Sequence, residues 1–226
     1  MTPVRALLLS AVAVSYGPAM ASDSRPCDGP ADVREATPAA IRAFVDGKHM
    51  QVLTFAGYSG AGYEDPKAML DHAARILDGE DPAKTLVNAG ATKVGIGAVY
   101  DLAKAKGFTT MGIASTLARD KDVELSPCVD HVFFVADTQW GGKVEGKDQL
   151  SPTSQAMVES STSFVAIGGG DTARDELLAA RKAGKQTTFV PADMSHEIAA
   201  DKARKKGAPA PTDFRGSAHA AAGAGG

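Results

Sequence analysis

What most constrains this chain is a unit that recurs along it: a short apolar run, a glycine-bearing loop, then a helical stretch. Apolar runs at Gln51–Phe55, Thr85–Val87, Phe108–Ala114, His131–Ala136, Phe164–Ile167 and Thr187–Val190 each read as a buried strand. Between them, helical patterns follow Asp65-Pro66 and span Ala98–Lys106, Thr153–Ser160 and Thr172–Lys182, with Gly79, Gly107 and Gly184 placed as stops. In the first of these helices Met69, Ala73, Ile76 and Leu77 fall on one face. Strands alternating with helices predict a single α/β domain over residues 48–200, a doubly wound and mainly parallel sheet covered on both sides. In such a sheet the crossovers are right-handed, and ligands sit beyond the carboxyl ends of the strands.

The flanks read differently. Met1–Arg5 carries one positive charge, Ala6–Val14 is apolar, and Ala19-Met20-Ala21 is a small-x-small cleavage site, so residues 1–21 are expected to be a signal peptide. The apolar run is too short to span a bilayer, and no membrane contact is expected after cleavage. Residues 22–47 are polar and proline-rich, an exposed lead-in with one helix near Pro38–Val45; residues 201–226 end in an Ala/Gly-rich stretch expected to be disordered. Export would place Cys27 and Cys128 in an oxidising compartment, where they either close a disulfide or stay unpaired. Neither cysteine has metal-type spacing, so no metal site is expected. With 44% hydrophobic and 23% charged residues a packed core is expected, and a net charge of −3 argues against a nucleic-acid partner.

Three strand-to-helix loops are rich in glycine: Gly57–Gly62, Asn88–Gly97 and Gly168–Thr172. At such junctions the helix's first N–H groups and its dipole favour an anion, and glycine lets backbone approach it closely. Gly57, Ser59, Gly60, Gly62, Gly90, Thr92, Gly95, Gly168, Gly169, Gly170 and Thr172 are therefore the candidate phosphate-binding residues of a Rossmann-like domain. The first loop reads G-x-x-G-x-G rather than G-x-G-x-x-G, no acidic residue closes a second strand, and the P-loop lysine signature is missing. Dehydrogenase and P-loop chemistry are disfavoured, and no bound cofactor is called for.

The order of these loops resembles the SLOG superfamily of Rossmann-like nucleotide binders. One branch holds the phosphoribohydrolases long labelled lysine decarboxylase-like, with the motif P-G-G-x-G-T-x-x-E; Ile167–Asp175 occupies that register. The other holds the cytosolic sensor domain of melastatin channels and its bacterial relatives, which Asp130–Asp137 and Asn88–Gly95 resemble. The resemblance covers roughly residues 50–194. It implies a nucleotide or nucleotide-derived ligand, a homodimer paired through helices, and Asp175 as the catalytic carboxylate if the chain is an enzyme. Ile167, Asp171 and Asp175 replace the motif's proline, glycine and glutamate, and no arginine lies between Arg119 and Arg174, where the hydrolase branch carries one.

Asp175 has a second reading, because Thr172-x-x-Asp175 is also a helix capping box. Glu176 reads as a solvated helix residue, and Ser59 lacks the G-x-S-x-G elbow of a nucleophile. His72, His131 and His196 read as surface or hydrogen-bonded histidines, and Lys143 and Lys147 either bring positive charge to phosphates or, as such lysines usually do, face water. Trp140 is either a lid that stacks on a purine or a contact beneath a long loop. Three functions follow: an exported nucleotide-ligand binding or sensing domain, an N-glycosidic hydrolase acting on a nucleotide, or a scaffold without ligand. The export reading predicts a mature chain beginning at Ser22. Intact-mass measurement of protein recovered from cells checks it, and a full-length soluble product refutes it.

Overall fold

The computed structural model describes residues 27–222; the expected signal peptide, residues 1–21, lies outside them. In chain order the elements are β1 (Asp32–Glu35), α1 (Pro38–Lys48), β2 (Gln51–Gly57), α2 (Pro66–Leu77), β3 (Thr85–Asn88), α3 (Val99–Ala105), β4 (Thr109–Ser115), α4 (Thr116–Asp120) and β5 (His131–Val135). They continue as α5 (Pro152–Ser160), β6 (Ser163–Ile167), α6 (Asp171–Lys182), β7 (Gln186–Val190), α7 (His196–Lys205) and α8 (Gly216–Ala222). The strands form one seven-stranded sheet in the order β1-β5-β4-β3-β2-β6-β7, parallel throughout. This is the Rossmann-like α/β fold expected.

Strand periodicity divides the core. Val52, Leu86, Met111 and Phe133 point to the face covered by Ile41 and Val45 of α1 and Ala156 and Met157 of α5. Their neighbours Leu53, Val87 and Val132 point the other way, onto Met69, Ala73 and Leu77 of α2 and Val99, Tyr100 and Ala103 of α3. Both faces are thereby buried, which is why β3 is apolar at successive positions rather than at alternate ones. From β2 the chain steps outward through β3, β4 and β5, then returns to place β6 on the other side of β2. That reversal is the topological switch point.

The boundaries of the domain differ from those expected. Residues 32–35 of the lead-in form β1, the edge strand beside β5; its mostly exposed Asp-Val-Arg-Glu sequence has no apolar alternation to betray it. The disulfide between Cys27 and Cys128 ties this segment to the turn before β5. Nor is the stretch from 201 to 222 disordered. It completes α7 and forms α8, whose Ala218 is buried against Ala173, Leu177 and Ala180 of α6 and whose Ala221 is buried as well. Small side chains let the two helices approach closely, so an alanine-rich composition that buries little alone is stabilised by its partner.

Tyr100 links core to loop. Fully buried, its hydroxyl donates to Met111 O (2.8 Å) and accepts from Ala89 N (2.8 Å) and Ala91 N (3.0 Å), fixing the start of the β3 loop. Tyr100→Phe removes all three partners at once without opening a large cavity. It is expected to cost about 1–3 kcal/mol, the desolvation penalty of buried groups left unpaired. Urea denaturation of the variant beside the parent measures it.

Candidate functional site

At the carboxyl edge of the sheet, around the β2 end, the loops enclose a cavity of about 300 Å³. Its floor is Phe55–Gly57 of β2 and Ile113–Ser115 of β4. Ser59 and the Ala89–Thr92 stretch form one side, Thr153 and Met157 of α5 and Thr172, Ala173 and Glu176 of α6 the other. Trp140, Val123 and Leu125 make an apolar outer wall, with Trp140 and Val123 half exposed. The amino end of α6 has no side-chain cap, so its first N–H groups are left for whatever occupies the cavity. No lysine or arginine is among the lining residues; Lys121 Nζ lies 5.4 Å from the Trp140 ring centre.

Of the residues expected to bind phosphate, Gly57, Ser59, Gly90, Thr92 and Thr172 come together in this cavity. The others have different surroundings. Gly60 offers its carbonyl to Lys202 Nζ (2.8 Å), and Gly62 packs on Ile198 of α7. Gly95 has φ +62°, and a side chain there would run into the Tyr58 and Ser59 carbonyls, so it serves close packing of two loops. None of Gly168, Gly169 and Gly170 lines the cavity. Gly168 lies against the Tyr58 ring and Ala192, and the Gly169 carbonyl accepts from Ala218 N (3.1 Å). At Gly169, with φ +121°, an added Cβ would come 2.5 Å from the Ala173 Cβ. Gly170 is the N-cap of α6. The C-terminal segment thus covers the loop that the phosphate motif had singled out.

Asp175 neither caps α6 nor lines the cavity. With Gly170 as N-cap, α6 begins at Asp171, so Thr172 lies inside the helix and no capping box forms. Asp175 is buried and lies outside the cavity lining. Its Oδ2 accepts from Lys143 N (3.1 Å), and its Oδ1 accepts from Arg174 Nε (3.0 Å) and Nη2 (2.9 Å). It anchors the loop between β5 and α5 to α6.

The neighbouring Glu176 is the carboxyl group that reaches the cavity. It is 4% exposed rather than solvated, and its Oε1 accepts from Ser154 Oγ at 2.6 Å. Burial pushes its pKa up from 4.5 to about 7; the Ser154 hydrogen bond opposes that rise and the Asp175 charge adds to it. The sequence did carry a signal: Ala173, Leu177 and Ala180 mark the buried stripe of α6, and 176 falls within it. Among the described residues, the only close group of metal-ligating side chains is Cys27, Asp101 and Cys128, whose sulfurs are joined as the disulfide.

No family model matches the chain, and no curated protein does. Among solved structures it is similar to the molybdenum cofactor (Moco) carrier protein of Chlamydomonas reinhardtii at 19% identity and a TM-score of 0.45, over 62% of this chain and 76% of that one. It is likewise similar to the protein TM1055, at 19% identity and a TM-score of 0.44, over 61% and 72%.

Glu176 makes stability depend on pH. A carboxyl with a folded pKa near 7 and an unfolded value near 4.5 holds its proton longer when folded. The stabilisation is complete below pH 4.5 and lost as pH rises through 7, by up to about 3 kcal/mol at 1.36 kcal/mol per unit. Glu176→Gln should remove this component, making the variant gain on the parent as pH rises. Denaturant titrations of both proteins on either side of neutrality test the sign.

Proposed function

We propose that the chain is an exported binding or sensing domain for a nucleotide-type small molecule carrying few phosphates. One observation carries the reading: the uncapped first turn of α6 lines the cavity through Thr172 and Ala173, beside the Gly57–Ser59 and Gly90–Thr92 loops, at the switch point of the sheet. A phosphate there would receive backbone N–H groups and the hydroxyls of Ser59, Thr92 and Thr172. A flat ring would lie against Trp140, Val123 and Leu125. With no lysine or arginine in the lining, several phosphates would be poorly compensated, and the volume sits at the low end for small-molecule sites. A mononucleotide suits it better than a dinucleotide. The N-terminal signal pattern and the disulfide support export.

Thr172→Asp separates binding from folding. An acidic residue in the first turn of α6 favours the helix dipole, while its charge repels a phosphate in the cavity. Adenosine monophosphate should raise the melting temperature of the parent and leave that of the variant unchanged, with affinity lowered at least about tenfold, or 1.4 kcal/mol. No shift with any nucleoside monophosphate, or an equal shift in the variant, would sink the proposal.

Glu176 favours a second reading, hydrolysis of an N-glycosidic bond. A buried carboxyl with a pKa near 7, reaching the cavity, is suited to protonate a leaving base or to take a proton from water. Free base released from a nucleoside monophosphate, and lost by about a hundredfold or more in Glu176→Gln, supports that reading. Binding without release of base excludes it.

A further inference from the structure

A directional chain of hydrogen bonds leaves the α6 side of the cavity and ends in the loop that carries the only tryptophan. Gly142 N donates to Ser154 Oγ at 2.7 Å, and Ser154 Oγ donates to Glu176 Oε1 at 2.6 Å. The order is fixed by chemistry: an ionised carboxylate only accepts, so Ser154 gives it the hydroxyl proton and keeps a lone pair for the Gly142 N–H. The loop fits closely at this point. Gly141 has φ +118° and an added Cβ would lie 2.9 Å from Ser154 Oγ, while Gly142 sits beside Asp175 and Thr172. Trp140, next in sequence, forms the outer wall of the cavity.

From this geometry we propose that Glu176 and Ser154 form a proton-operated latch that holds the Trp140 loop on the cavity. The proposal concerns the empty protein and does not depend on which ligand enters. With Glu176 protonated, the buried carboxyl carries no charge that needs water, Ser154 bridges it to the Gly142 N–H, and the loop is held. When Glu176 ionises, its charge is short of solvent in the closed cleft, because the Ser154 hydrogen bond offsets only part of the desolvation. Ionisation therefore favours a looser loop that lets water reach the carboxylate, and the Trp140 wall relaxes. Burial brings the change into the neutral range.

The ionisable groups around Glu176 are few. On α6 itself Asp175 is taken up by Arg174 and by the Lys143 amide. From the Trp140 loop come Asp137, whose Oδ2 accepts from Thr153 N (2.9 Å), and Lys143, whose Nζ pairs with Asp148 (2.6 Å). Lys121 stands across the mouth over Trp140. Neither α5 nor β2 contributes an ionisable side chain to the cavity.

Because Trp140 is the only tryptophan, its emission reports the loop without a label. Fluorescence of the ligand-free protein should change in one step between about pH 5.5 and 8.5, in the range where the raised carboxyl titrates. The step should vanish in Glu176→Gln, and also in Ser154→Ala, which leaves the carboxyl in place but cuts the relay. Circular dichroism of each variant verifies folding, and if Glu176→Gln fails to fold, Ser154→Ala decides alone. A flat profile in the parent overturns the latch, as does a step that persists in either folded variant.

Discussion

The pairing of β2 with β6 is the constraint on which the site depends. Those strands are distant in sequence, yet Gly57 lies opposite Ile167 at the sheet edge, and the loops that leave both strands start from that line. Tyr63 clamps it, its hydroxyl donating to the Ile167 carbonyl (2.8 Å) and accepting from Tyr58 N (3.2 Å). Gly57 must be glycine there, because a side chain would occupy the space of the Tyr63 hydroxyl. α6, which brings Thr172, Ala173 and Glu176 to the cavity, follows β6 directly from this junction.

For the phosphate ligand proposed, the cleft offers an uncommon electrostatic setting. Attraction comes from the amino end of a helix and from hydroxyls, while the one ionisable side chain in the lining is a carboxyl. A phosphate entering near Glu176 would favour its protonated form, as any nearby negative charge does. Ligand and proton would then be taken up together, and affinity would fall as pH rises above neutrality.

How much of this was legible from sequence depends on which physical signal each element left. The six strands expected are all present; β2 to β6 are buried on both faces, which writes itself directly into composition, while the edge strand β7 is only partly covered. β1 left no such trace, being an exposed edge strand held by pairing with β5 and by a distant cysteine. The glycine loops were visible as loops, but not the direction each one faces: Gly168 and Gly169 turn toward a C-terminal segment whose docking no local pattern encodes. Asp175 and Glu176 show the same limit at the scale of one residue. The motif register drew attention to Asp175, whereas a helix start at Asp171 presents Glu176 to the cavity, as the stripe through Ala173 and Leu177 already implied.

The two ends of the described chain are fastened near opposite edges of the sheet. The N-terminal side is held covalently beside β5, and the C-terminal side by Arg181 Nη1 donating to Ala221 O (2.7 Å), by Ala218 on Gly169 and by apolar contact with α6. Tension applied through the termini would therefore meet unequal anchors. The non-covalent one yields first, peeling α8 from α6 and uncovering Gly169 before any strand separates. A load, or a protein that captures the C-terminal helix, would in this way strip the cover from the loop after β6 while leaving the sheet intact.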